Sequence, residues 1–156
     1  MAKVCNNLQE LRSEIMERVN KSLKEYVGEK VKEVMLEHIE TDVYNSYEPK
    51  TYLRRGNNGG LSDPDNIVVQ REYDGVISIE NVTVGREFYF QDREPIRSNN
   101  ADRPLTPIIE TGKGYDYWNK SFPRPFVNNT VDEIVQEKIV ENTLKEGLKK
   151  QGLEVK

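Results

Sequence analysis

Apolar residues return every three or four positions from Leu8 onward: Leu8, Leu11, Ile15, Val19, Leu23, Val27, Val31, Val34, Met35, Ile39 and Val43. That spacing keeps them on one side of a helix, with mixed Glu, Lys and Arg between them. The pattern predicts a long amphipathic helix from Leu8 to about Asp42, roughly 50 Å at 1.5 Å per residue. Asn7, with Glu10 three residues on, is its expected cap. Gly28 interrupts good helix formers and predicts a bend or a close contact with another backbone.

The rhythm then changes. Glu48-Pro49 ends the helical pattern, because the residue before proline is driven out of the helical region. Turn chemistry follows through Gly56-Asn57-Asn58-Gly59-Gly60 and Ser62-Asp63-Pro64-Asp65-Asn66, a loop expected to be exposed or ordered by assembly. Ile67 to Tyr73 and Val76 to Val84 flank Asp74-Gly75, which predicts a β-hairpin with Gly85 at its end. Phe88, Tyr89 and Phe90 point to a further short strand, and Gln91 to Pro104 to a polar, mobile loop. Leu105 to Gly112 is a short apolar unit, helical turn or strand.

From Gly112 to Glu133 the chain reads as one rigid corner: two glycines, then Tyr115, Tyr117 and Trp118, then Pro123 and Pro125 around Arg124 and Phe126. Thr130 and Glu133 fit a capping box, which predicts a last helix from Val131 to about Gln151 with Gly152 as its stop. The order helix, strands, helix gives an α+β domain. A long N-terminal helix and a C-terminal helix pack on a small antiparallel β-sheet with long loops, in a single unit over residues 1–156.

Composition changes this picture in one respect. Hydrophobic residues make up 35% and charged residues 32% of the 156 positions, so the core of one copy is modest and association would add burial. A net charge of -4 and a pI near 5.2 weigh against a strongly basic nucleic-acid surface. The single Cys5 allows no internal disulfide, and without a signal-like or membrane-like N-terminal run the simplest compartment is a cytoplasm.

Candidate chemistry is sparse. The only histidine, His38, lies within the charged first helix with no nucleophile motif around it, and reads as a solvated or packed residue. Arg54 and Arg55 beside glycines lack the lysine and hydroxyl ending of a phosphate loop. Asp63 and Asp65 lack the remaining oxygen ligands of a calcium loop and read as turn formers. The expectation is a non-enzyme without catalytic residues, metal or cofactor. Its interaction candidates are Arg54, Arg55, Tyr115, Tyr117, Trp118, Arg124 and Phe126, with aromatics and arginines serving packing or assembly more than a ligand.

The order of several short motifs resembles a known family. Tyr52-Leu53-Arg54-Arg55 with Gly60-Leu61, Ile109-Glu110-Thr111-Gly112, Pro123-Arg124-Pro125-Phe126 before Asn129-Thr130, and the closing Leu144 to Lys150 are similar to the tail-completion or head-tail joining proteins of long-tailed bacteriophages. Thr111 stands where that family commonly has an aromatic, and the polar run from Gln91 to Pro104 also departs from it. The resemblance implies a structural virion protein of the neck, assembled in the host cytoplasm. It implies a homo-oligomeric ring, six- or twelve-fold, that joins the portal side of the capsid to the tail. Its partners would be neighbouring neck, connector and tail-tube proteins, with DNA as passing cargo and no membrane. A tail terminator or a nucleic-acid-binding accessory protein stand as alternatives.

Overall fold

The computed structural model describes residues 5–49, 54–85, 102–114 and 122–155, apart from the side chains of Arg71 and Glu72. Phe88 to Phe90, most of the polar run after Gln91, and Tyr115, Tyr117 and Trp118 lie outside the described residues.

The N-terminal stripe does form one continuous helical rod, but not a uniform one. α1 (Leu8–Ser22) passes into a wider π-helical stretch, Leu23–Gly28. α2 (Glu29–His38) passes into a second, Ile39–Tyr44, and every junction keeps right-handed helical dihedrals. The sequence supplies a reason. From Ile15 through Val19, Leu23, Val27, Val31, Met35, Ile39 and Val43 an apolar residue falls at every fourth position. An ideal helix of 3.6 residues per turn rotates such a series by roughly 40° per step. Turns that take up more residues cancel part of this drift, so Leu23, Val27, Met35, Ile39 and Val43 all remain buried. At its start, Asn7 Oδ1 accepts from the Glu10 N–H at 2.9 Å while Glu10 Oε2 accepts from the Asn6 N–H at 2.8 Å, the expected reciprocal cap.

The hairpin is β1 (Ile67–Tyr73) and β2 (Val76–Asn81), antiparallel, with Val69 opposite Ile79 and Tyr73 opposite Val76. A bulge between Val69 and Arg71 shifts the register, so Ile77 is paired with Glu72 and not with an apolar residue. Asp74 and Gly75 both take positive φ, 47° and 79°, as a tight turn requires. The tip is tied to the rod by the Gly75 N–H donating to Asn20 Oδ1 at 2.8 Å. Gly28 is where the sheet closes on the rod: a Cβ there would lie 3.4 Å from Ile77 Cδ1 and 3.8 Å from Val69 Cγ2. Its close contact is therefore with hairpin side chains and with the rod's own Leu23 carbonyl, at 3.5 Å, and not with the backbone of another element. β2 is shorter than expected. Beyond it Val84 bridges Pro104 and the Gly85 N–H donates to the Arg103 carbonyl.

The loop before the hairpin is ordered by its own chain. Gly59 N–H donates to Asp63 Oδ2, while Asn66 Nδ2 and Thr83 Oγ1 both donate to the Gly60 carbonyl. Asp63 also caps the short 3₁₀ turn Pro64–Asn66. The Leu105–Gly112 unit resolves as a helix, α3 (Thr106–Thr111), ended by Gly112 at φ 65°.

The C-terminal region holds two corrections. The expected single helix is two, α4 (Phe126–Gln136) and α5 (Ile139–Lys150), parted where Lys138 takes φ 53°. No glycine or proline marks that break. The turn redirects α5 so that Gly147 meets the rod at Ser22 and Tyr26 and Leu148 is buried. Thr130 and Glu133 do not form a capping box, because α4 begins at Phe126. Thr130 is buried within the helix, its hydroxyl donating to the Phe126 carbonyl at 2.6 Å, and Glu133 faces His38.

The architecture is α+β, with the rod as the shared element: the hairpin lies on it at Gly28, α5 at Ser22 and Tyr26, and α4 along α2. Met35, Ile39, Val43, Leu61, Ile67, Ile109 and Phe126 form the common core.

Candidate functional site

The corner expected from sequence is built around Phe126, which is wholly buried. Pro125, at φ -82° and ψ 58°, sits at the centre of a three-residue turn in which the Phe126 N–H donates to the Arg124 carbonyl at 2.9 Å. The Arg124 N–H donates in turn to the Ile109 carbonyl at 3.0 Å, so the corner is stitched to α3. Glu110 completes the stitch: its Oε1 accepts from the Val127 N–H in the first turn of α4. Burial raises the Glu110 carboxyl above the usual carboxylate range, while backbone donation from Val127 and Asn128 opposes that shift.

Two of the arginines singled out in the sequence converge on one ring. The Arg54 guanidinium lies over Tyr44 at 4.9 Å and over Tyr47 at 5.1 Å from the centroids. Arg124 lies 5.1 Å from the Tyr47 centroid and 5.5 Å from that of Phe122. Arg54 also donates to the Tyr47 carbonyl, and Arg55 donates to the Val84 carbonyl at 2.6 Å. A planar cation over an aromatic face is held electrostatically, and more strongly where water is excluded. Arg124 is 7% exposed, so its charge is carried largely inside the subunit. The cluster joins the end of the rod, the Arg54 loop and the corner. It works as a three-way clasp.

A second junction holds α4 to α2. His38 Nδ1 lies 2.9 Å from Asp42 Oδ2, and Nε2 lies 3.0 Å from Glu133 Oε2. Asn129 Nδ2 donates to the same Asp42 oxygen. The histidine is thus a packed cross-link between two helices. Among the described residues no group of three or more His, Cys, Asp or Glu side chains is arranged to hold a metal ion. None of their helices is long and apolar enough to cross a membrane.

Arg54, Arg124 and Phe126 were among the residues singled out from sequence; Tyr47 and Glu110 as their supports, and Glu133 as the partner of His38, were not. Tyr47 stood in the sequence among tyrosines. The Glu110 and Glu133 contacts span 17 and 95 residues and leave no local signal.

The corner and its clasp lie within a stretch of known kinship, for the sequence model of the YomN family matches residues 7–150. The chain belongs to the YomN family. The YomN protein of the SPbeta prophage of Bacillus subtilis strain 168 is 31% identical over 132 residues, covering 79% of this chain and 79% of its own length. No solved structure matches at a significant level.

Proposed function

We propose that this protein is a bacteriophage structural subunit of the head-tail connector, forming a ring in the neck through which DNA passes from capsid to tail. The observation that carries the reading is kinship over most of the chain with a prophage-derived protein. The ordered motifs from Arg54-Arg55 to Pro123-Arg124-Pro125-Phe126 direct it to the neck.

The geometry is in keeping with such a part. Its distinctive side chains are spent on internal cross-links that stiffen one subunit, while the start of the rod runs past the end of α5 with its apolar side uncovered by the described residues. A rigid body with uncovered surface suits serial contacts between copies. The net charge of -4 suits a channel that DNA crosses without adhering.

A nucleic-acid-binding role would draw on Arg54 and Arg55. Arg54 lies on tyrosine rings and Arg55 on the Val84 carbonyl, uses that compete with phosphate contact. Electron microscopy of the purified protein, alone and mixed with isolated connectors or tail tubes, tests the proposal. Rings seated on connectors are expected. Rings found on tail tubes alone would make it a tail terminator, and persistent monomers that bind neither would overturn it.

A further inference from the structure

Two apolar patches, on different helices, share one spacing. On α1, Leu11 and Ile15 stand four residues apart with Arg12 directly after the first; on α4, Val131 and Val135 stand four apart with Asp132 directly after the first. All four aliphatic side chains face solvent: Leu11 is 44%, Ile15 40%, Val131 51% and Val135 68% exposed. Arg12 and Asp132 are exposed too. Leu8, before Leu11 on the same stripe, prolongs the first patch.

Residues i and i+4 share a face of a helix, and i+1 lies on its flank. When two helices meet face to face and antiparallel, equivalent flanks adjoin. Leu11 would then meet Val135, Ile15 would meet Val131, and Arg12 would adjoin Asp132. The patches match in spacing, and the residues that would adjoin on one flank, Arg12 and Asp132, are opposite in charge.

Among the described residues, nothing of the same subunit covers either patch. On α1 the stripe lies before Arg18, whose Nη1 donates to the Gln151 carbonyl where α5 ends. On α4, Asn129 and Glu133 face the rod while Val131 and Val135 look away from it. Along the rod, Leu11 and the His38 junction that holds α4 are about 40 Å apart. One copy cannot close this contact on itself, so each copy offers two different surfaces to two neighbours, the requirement of a head-to-tail ring.

We infer that the start of α1 docks antiparallel on the outer face of α4 of the next copy of this chain. This deepens the ring reading above and rests on it. The test uses the full chain under conditions where the wild type assembles, alone or on isolated connectors, read by light scattering and electron microscopy. Leu11→Glu and Val135→Glu are each expected to abolish assembly while leaving the melting temperature close to wild type, since both sites are exposed. Mixed together, the two variants should form a one-to-one dimer and nothing larger, because only one intact pair of patches remains. Arg12→Glu and Asp132→Arg should each weaken assembly at least tenfold, and the double reversal should restore it. Wild-type rings that persist unchanged in the single variants, or a mixture that does not pair, would overturn the contact and leave the ring standing. A wild type that never assembles would overturn both.

Discussion

Glu110 Oε1 accepts from the Val127 N–H at 2.5 Å, closing the start of α4 from a helix 17 residues earlier. The cap comes from across the corner, where a local Ser, Thr or Asp would usually supply it. Glu110→Ala is expected to cost about 1 kcal/mol, the usual loss of an N-cap acceptor. Glu110→Gln, which keeps an acceptor oxygen, should cost less. Because burial holds this carboxyl above its unfolded range, the folded state binds its proton more tightly than the unfolded chain. Its contribution is complete below the unfolded carboxylate range and is lost as pH rises through the folded value. Chemical denaturation across pH 3 to 7 checks both points, with Glu110→Gln expected to flatten this component.

Asp63 has the opposite sign. The Gly59 and Asp65 N–H groups donate to its carboxylate and hold it below the usual aspartate range. That stabilisation is present above the unfolded aspartate value, near about 3.9, and is lost as pH falls through the folded one. Asp63→Asn is expected to remove the acid-range loss of protection at Gly59 in hydrogen exchange. An unaltered profile would show that the loop is held otherwise.

Phe126 fills the centre of the shared core at 0% exposure. Phe126→Ala is expected to cost about 3 to 5 kcal/mol, measured by urea unfolding. Loss below about 1 kcal/mol would mean that the corner is not the organising element of the core.

Two rod contacts with glycine should respond in opposite directions. At Gly147 a Cβ would come within 2.8 Å of Tyr26 Cδ2 and 3.1 Å of Ser22 Cβ, so Gly147→Ala forces α5 off the rod. The expected cost is about 1 to 3 kcal/mol of overpacking, partly offset by better helix propensity. At Gly28 the first contact is an ordinary 3.4 Å, so Gly28→Ala gains up to about 1 kcal/mol of propensity. Thermal melts of the two variants should move to either side of the wild type.

Much of the fold was legible because its signals are local. The four-residue repeat from Ile15 to Val43, the Asn7 cap and the Asp74-Gly75 turn each determine structure within a few residues. The split between α4 and α5 was not legible, since Lys138 takes its left-handed conformation through the packing of Gly147 and Leu148 beyond it. The capping box misled for a related reason: Thr130 and Glu133 have the right spacing, but Glu110 and the Pro125 turn start the helix earlier. Of the candidate site, Arg54, Arg124 and Phe126 were visible as residue types. Their meeting at Tyr47 and in the core depends on contacts made only when the chain closes.

The reciprocal cap of Asn7 and Glu10 closes a helix end that juts past α5. Ordering a backbone costs roughly 1 to 2 kcal/mol per residue, and here the first turns of α1 are ordered before any neighbour arrives. In the contact proposed above, docking of that end would need no folding step. Its rate should then be set by collision and orientation, within the roughly 10⁵ to 10⁷ M⁻¹s⁻¹ of preformed protein surfaces. Breaking the cap with Asn7→Ala would slow association while sparing the assembled contact.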